Sequence, residues 1–191
     1  MCDVWLEGGI RLIQLRAKAM ASGPLLVLAE ALLTRTRAAG ANLLVNDRAD
    51  IAAMCGADGV HVGQDDLSPA EVRRLLGPNA VVGLSTHTDA QVADAVTQPV
   101  SYVAIGPVFG TRTKQTGYDA VGLDQVQRAA AVAHGAGLPL VAIGGITHER
   151  ASSVLAAGAD SLAVISDMVG ESLSSTEARV IQWMRALPPA G

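Results

Sequence analysis

Val-Asn-Asp-Arg-Ala-Asp-Ile-Ala-Ala-Met-Cys-Gly-Ala-Asp-Gly-Val-His-Val-Gly-Gln-Asp-Asp, residues 45–66, decides how this chain is read. The stretch opens where an apolar run over 41–45 ends and closes just after a second run over 59–62, with an Ala-rich helical segment between them. Two short apolar runs joined by a helix make a βαβ unit of a parallel sheet, and parallel connection places both strand ends on one rim. Asp47 and the pair Asp65/Asp66 then face one another across that rim, with Asn46 beside the first. Two hard oxygen ligands at one mouth suit Mg²⁺, which takes one or two protein carboxylates and fills its shell with water and substrate phosphate. Helix capping is the competing reading: Asp47 would cap the helix that follows it, and Asp66 or Ser68 the next.

Outward from this unit the same alternation continues. Strands are expected over 11–15, 42–45, 59–62, 80–83, 102–105, 138–143 and 161–165. Helices are expected over 25–39, 49–55, 69–76, 89–96, 123–134, 148–157 and 176–186. Gly40, Gly56, Gly77, Gly137 and Gly158 read as helix stops and Ser68-Pro69 as a start. Helices before four strands end alike, in Ala-Ala-Gly-Ala (38–41), Gly-Ala-Asp (56–58), Gly-Ala-Gly (135–137) and Ala-Gly-Ala-Asp (157–160), so one αβ turn is used repeatedly. Such alternation fits either an open doubly wound α/β sheet or a closed (β/α)₈ barrel.

Bulk properties narrow the function classes. With 191 residues the chain is expected to form one domain, 1–191. Half of its residues are apolar and only 3% aromatic, which matches strands of Ala, Val, Leu and Ile covered by helices. A net charge of −4 lacks the cationic excess of a nucleic-acid surface. Cys2 and Cys55 give no disulfide framework, and Cys55 falls on a helix where burial is expected. The N-terminus carries Asp3, Glu7 and Arg11 and does not read as a signal peptide, and no run approaches the roughly 18 apolar residues of a membrane span. A cytoplasmic protein without membrane contact is the expectation.

The remaining polar groups follow strands, where barrel enzymes keep their sites. Gln14, Arg16 and Lys18 alternate at the end of the first strand, so one amide and two cations could meet one anion. Arg16 lies so near the apolar pair Leu12-Ile13 that a buried partner is expected for it. Ser85-Thr86-His87-Thr88 offers hydroxyls, with Thr88 a helix cap and His87 read as structural because no nucleophile or orienting carboxylate stands beside it. The long loop Gly-Pro-Val-Phe-Gly-Thr-Arg-Thr-Lys-Gln-Thr-Gly (106–117) supplies hydroxyls and cations suited to phosphate. Ala-Ile-Gly-Gly-Ile (142–146) and Val-Ile-Ser (164–166) would add a cup of bare backbone N–H groups.

Taken in order, Gln-Leu-Arg-Ala-Lys (14–18), Val-Asn-Asp-Arg (45–48), His-Val-Gly-Gln-Asp-Asp-Leu (61–67), Gly-Leu-Ser-Thr-His-Thr (83–88), Gly-Pro-Val-Phe-Gly-Thr-Arg-Thr-Lys (106–114), Ile-Gly-Gly-Ile (143–146) and Val-Ile-Ser (164–166) resemble thiamine phosphate synthase over essentially the whole chain. That resemblance implies a TIM-type (β/α)₈ barrel, here lacking the first β-strand and most of the first helix at the N-terminus. It implies that Gln14, Leu15, Arg16, Ala17, Lys18, Asn46, Ser85 and Lys114 hold a pyrimidine diphosphate, and that Asp47 and Asp66 hold its Mg²⁺. Thr111, Arg112, Thr113, Gly145, Ile165 and Ser166 would hold a thiazole phosphate. The implied reaction joins 4-amino-5-hydroxymethyl-2-methylpyrimidine diphosphate to the thiazole phosphate and releases pyrophosphate. Arg16, Lys18 and Lys114 would serve catalysis by stabilising the departing charge. The partners are then phosphorylated small molecules, and the bare strand edges of a short barrel would favour a homo-oligomer. Two alternatives stay open: a thiazole tautomerase-like isomerase in which His87 moves a proton, and a non-catalytic phosphate-binding or regulatory module.

Overall fold

The computed structural model describes residues 1–110 and 118–187. Its elements alternate as read: α1 (Cys2–Glu7), β1 (Leu12–Leu15), α2 (Ser22–Ala38), β2 (Asn42–Asn46), α3 (Ala49–Cys55), β3 (Gly59–Val62), α4 (Pro69–Leu76), β4 (Val81–Thr86), α5 (Asp89–Ala95), β5 (Tyr102–Ile105), α6 (Gly122–Gly135), β6 (Leu140–Ile143), α7 (His148–Ala156), β7 (Ser161–Ala163), a 3-10 turn (Ser166–Met168) and α8 (Leu173–Ala186). The chain divides into two compact units, Met1–Leu84 with Gln98–Val100, and Ser85–Thr97 with Ser101–Gly191.

In the first unit β1, β2, β3 and the start of β4 pair in parallel. Every residue of β3 is buried, as is all of β2 after Asn42, which is what a strand covered on both faces requires and why these runs do not alternate. β1 differs: among the described residues it pairs only with β2, buries Ile13 and Leu15, and exposes Leu12 and Gln14. Helix α2 turns Leu25, Ala29, Leu33 and Thr36 inward, a spacing that forms one stripe. A reciprocal Ser68/Glu71 capping box starts α4, with Pro69 at the first helical position. At Gly59 the neighbouring strand passes so close that a Cβ would lie 1.9 Å from the Val81 carbonyl oxygen, so the start of β3 must be glycine.

The second unit carries the parallel set β5, β6, β7 with α5 to α8. Thr86 at the end of β4 belongs to it, its hydroxyl donating to the Ala104 carbonyl at 2.8 Å. Both units repeat the expected αβ turn in detail. In the first, Asp58 N–H donates to the Leu43 carbonyl and the Asp58 carboxylate accepts from Leu43 N–H at 2.7 Å. In the second, Asp160 does the same with Leu140, also at 2.7 Å. Each Asp thus pins the start of one strand to the next.

Element boundaries moved by a few residues at most. β7 stops at Ala163 because Ile165 leaves the strand conformation and Ser166 opens the 3-10 turn, which the apolar run had masked. Cys55 is half-buried rather than buried, since α3 is short and Met54 and Cys55 reach its outer end. Among the described residues no helix is long and apolar enough to cross a membrane.

Candidate active site

In the first unit the carboxyl ends of β1, β2 and β3 bring side-chain charge together. Asn46, the last residue of β2, is 8% exposed, and its Nδ2 is a buried donor with no hydrogen-bond partner among the described residues. A buried, unmade amide hydrogen bond costs about 1–3 kcal/mol, so this donor is placed for something other than the protein. Asp47 follows with φ of 62°, the one non-glycine residue in the left-handed region among those described. Its N–H donates to the His61 carbonyl at 2.8 Å, which holds the bend, and its carboxylate meets the Lys18 ammonium at 2.7 Å. Left-handed backbone costs an L-residue about 1–2 kcal/mol, and such strain gathers at functional sites.

The N-cap positions of α3 and α4 are held by Arg48 and Ser68. At the start of α3 the N-cap residue Arg48 makes no side-chain cap bond. Ser68 caps α4, which leaves Asp66 to accept from Gly63 N–H at 2.7 Å. Partial burial, and then the Asp47 carboxylate hydrogen-bonded to it, push the Asp66 carboxyl above its usual range, opposed by the Gly63 amide and by Lys18. Asp47 and Asp66 therefore stand together as a carboxylate pair with a cation alongside. Among the described residues no group of three or more His, Cys, Asp or Glu is arranged to hold a metal ion. A two-carboxylate donor set fits Mg²⁺ that draws its other ligands from water and phosphate, and does not fit a closed all-protein site.

Arg16 overturns one expectation. It is exposed and has no partner among the described residues, because β1 ends at Leu15 and Arg16 has already left the sheet. Gln14 and Lys18 are exposed as well, and Leu15 is buried. Side chains at 14, 16 and 18 are thus presented to solvent, with Lys18 committed to Asp47.

Among the described residues of the second unit, the turns after β6 and β7 offer backbone donors. Gly144 and Gly145 have φ of 98° and 65°. A Cβ on Gly145 would lie 2.8 Å from both the Gly110 carbonyl oxygen and the Phe109 Cβ, so only glycine lets the turn after β6 lie against the segment after β5. That segment is held by Val108 N–H on the Ile143 carbonyl and Phe109 N–H on the Gly144 carbonyl. Arg150 braces the same place, donating to the Gly145 carbonyl at 3.3 Å with its guanidinium 4.6 Å above the Phe109 ring. The N–H groups of Gly145, Ile146 and Ser166 donate to nothing among the described residues. Ile165 and Ser166 are exposed at the turn after β7. Thr111, Arg112, Thr113 and Lys114 lie outside the described residues.

Ser85 is buried at the end of β4. His87 is tied down on all sides: Nδ1 meets the Gly106 carbonyl, its N–H donates to Gln91 Oε1 at 2.7 Å, its carbonyl accepts from Gln125, and its ring stacks on Tyr118 at 4.0 Å. These contacts match the structural reading of His87, and Thr88 caps α5 as expected. Sequence reasoning passed over Asp167, which draws together His148, Arg179 and Trp183. Its position directly after the Val-Ile-Ser motif was the available signal.

The chain is similar to known proteins over most of its length. The family model for thiamine monophosphate synthase matches residues 2–168. The chain is 47% identical over 164 residues to a thiamine-phosphate synthase of Koribacter versatilis, covering 86% of this chain and 76% of that protein. It is 44% identical over 165 residues to a thiamine-phosphate synthase of Roseiflexus castenholzii, covering 86% of this chain and 71% of that one. Among solved structures, thiamine phosphate pyrophosphorylase from Pyrococcus furiosus superposes with a TM-score of 0.85 at 28% identity, covering 97% of this chain and 86% of that one. The fold is accordingly α/β of the TIM type, with seven parallel strands among the described residues.

Proposed function

The chain belongs to the thiamine monophosphate synthase family of transferases, and on that premise we propose that it couples 4-amino-5-hydroxymethyl-2-methylpyrimidine diphosphate to a thiazole phosphate, giving thiamine phosphate and pyrophosphate. The observation that carries this reading is the Asn46–Asp47 corner: a buried amide donor without a partner, next to a strained carboxylate already paired to Lys18. A site that holds donors and anions ready without a general base suits departure of a diphosphate more than hydrolysis or proton transfer.

Gln14, Arg16 and Lys18 bind the diphosphate of the first substrate, with Arg16 free to reach it and Lys18 released toward it from Asp47. Asn46 donates its buried Nδ2 to that substrate, and Leu15, Ala17, Ser85 and Lys114 join it, as the resemblance implies. Asp47 and Asp66 hold Mg²⁺, which when bound supplies neutralisation of the leaving diphosphate. As the carbon–oxygen bond breaks, Arg16, Lys18 and Lys114 stabilise charge on the departing oxygens. The electron pair leaves with pyrophosphate, and the thiazole nitrogen supplies the pair for the new carbon–nitrogen bond. Thr111, Arg112, Thr113, Gly145, Ile165 and Ser166 position the thiazole phosphate, the last three through the bare turns of the second unit. Residues 1–191 act as one domain in this reading, in the cytoplasm.

The isomerase reading loses support from His87, whose ring is stacked and whose Nδ1 is spent on the Gly106 carbonyl. The deciding experiment combines both substrates with Mg²⁺ and follows pyrophosphate release, omitting each component in turn. Release that needs all three components is expected. Release without the thiazole phosphate would mean hydrolysis, and no release at all would favour the non-catalytic alternative.

A further inference from the structure

Helix α7 begins directly after the Gly144-Gly145 turn, and Thr147 at its N-cap makes no side-chain cap bond. The cap arrives from elsewhere in the sequence. Asp167 Oδ2 accepts from His148 N–H at 3.0 Å and, with the same oxygen, from the indole Nε1–H of Trp183 at 2.9 Å. Arg179 adds a bond from Nη1 to the Asp167 carbonyl at 3.2 Å and stands 3.8 Å from Oδ1. The His148 ring lies 3.6 Å from Oδ2 by its Nδ1. One carboxylate therefore ties three elements, the start of α7, the turn after β7 and the buried Trp183 of α8, which is 2% exposed.

The two turns that Asp167 joins are the ones whose N–H groups at Gly145, Ile146 and Ser166 are left unbonded. Backbone donors recognise a phosphate only if the two turns keep a fixed separation. Asp167 neighbours Ser166 in sequence and holds the residue one turn past Gly145, so it sets that separation. It also fills the N-terminus of α7 with a protein anion, which leaves the turn N–H groups, and not the helix end, to receive the ligand.

We propose that Asp167 is the positioning residue of the backbone phosphate cup, acting through His148 N–H and Trp183 Nε1–H to hold the turns after β6 and β7 at the spacing a monophosphate ester needs. This rests on the reading of that cup as the thiazole phosphate site. Because both bonds go to one oxygen, Asp167→Asn can keep them through its amide oxygen while losing the charge, whereas Asp167→Ala loses both.

The test is steady-state kinetics of the whole chain with each substrate varied, together with the melting shift given by inorganic phosphate. Asp167→Ala should raise the KM for the thiazole phosphate roughly tenfold or more, with the KM for the pyrimidine diphosphate and kcat within about twofold. Asp167→Asn should recover to within about threefold of the unmutated protein, and Trp183→Phe, which keeps the packing and removes one donor, should fall between. Equal effects on both KM values would reduce Asp167 to general stability and overturn the proposal. So would a lowered KM in Asp167→Asn, which would make the carboxylate a repulsive neighbour of the phosphate. Should the unmutated protein fail to couple the substrates, the reaction assignment fails, and the cup is judged by phosphate alone: its melting shift must survive in Asp167→Asn and vanish in Asp167→Ala.

Discussion

Under the proposed function the two units contribute to anion recognition by different means. The first uses side chains, with Asp47, Asp66, Lys18 and Arg16 gathered at the ends of its strands and a buried Asn46 donor beside them. The second uses shape, two turns whose N–H groups are bare and whose approach depends on Gly145 having no Cβ. Side-chain charge suits a group that must be neutralised as it leaves, since its strength grows with the charge that develops. Backbone donors suit a phosphate that only has to be held, because they bind without moving and without drawing in other ions. Under the proposed function the charged side chains of Arg16, Lys18, Asp47 and Asp66 serve the leaving diphosphate and the bare turns after β6 and β7 the spectator phosphate, a contrast that mutation can break.

The largest effect is expected at the carboxylate pair. Asp66→Asn should lower kcat by about a thousandfold or more, because the metal loses one of its two protein ligands while Gly63 N–H keeps an acceptor. Asp47→Gly should do the same to turnover and yet melt at or above the temperature of the unmutated protein, since glycine takes φ of 62° without the strain that Asp bears there. Turnover that survives both changes without added metal would sink the Mg²⁺ assignment. Next in size is Lys18→Ala, expected to cost about a hundredfold in kcat/KM for the pyrimidine diphosphate and little for the thiazole phosphate. Equal losses on both sides would erase the division of labour between the units.

In the second unit the order should reverse, with backbone geometry mattering more than side-chain chemistry. Gly145→Ala places a methyl group 2.8 Å from the Gly110 carbonyl oxygen at a left-handed position, so the turn must shift and the KM for the thiazole phosphate should rise by about ten- to a hundredfold. Ser166→Ala keeps its N–H and should change that KM by about twofold. Measuring the two side by side reads the contrast directly: a Ser166→Ala loss larger than that of Gly145→Ala would make the hydroxyl, not the backbone, the recognition element.

What the sequence disclosed follows the same divide. Strand positions were legible because parallel strands buried on both faces are continuous apolar runs, as in β3 and β5, and the repeated Gly-Ala-Asp turn marked where the strands begin. Asp47 and Asp66 were visible as carboxylates, but that Arg48 and not Asp47 stands at the N-cap of α3 was not, because it depends on the bend at Asp47. The partner expected for Arg16 was wrong because β1 ends at Leu15, as expected, and Arg16 stands exposed just beyond it. Asp167 was illegible for a different reason: its partners come from α7 and α8, 12 to 19 residues away in the chain, and no local period announces them.

The smallest prediction tests whether the repeated αβ turn is equally strong in both units. Asp58 pins Leu43 N–H alone, whereas Asp160 pins Leu140 N–H and also meets His134 Nε2 at 2.8 Å. Burial by itself would raise the Asp160 carboxyl, but the Leu140 amide and His134 outweigh it and hold the group below its ordinary value. A carboxyl depressed in the folded state stabilises the fold above its unfolded value and loses that contribution as pH falls through the folded one. Both Asp160 and His134 side chains are 46% exposed, so solvent screening keeps the pair small, about 0.5–1 kcal/mol. Asp160→Asn should therefore lower stability by about that amount near pH 6, with the deficit shrinking below about pH 4 as the unmutated carboxyl takes up its proton. Asp58→Asn should cost less at pH 6, having no histidine to lose. Chemical denaturation of the three proteins from pH 6 down to pH 3 measures both points. A deficit in Asp160→Asn that stays constant over that range would show that the turn works through the backbone N–H bond alone, and that charge contributes nothing at this end of the second unit.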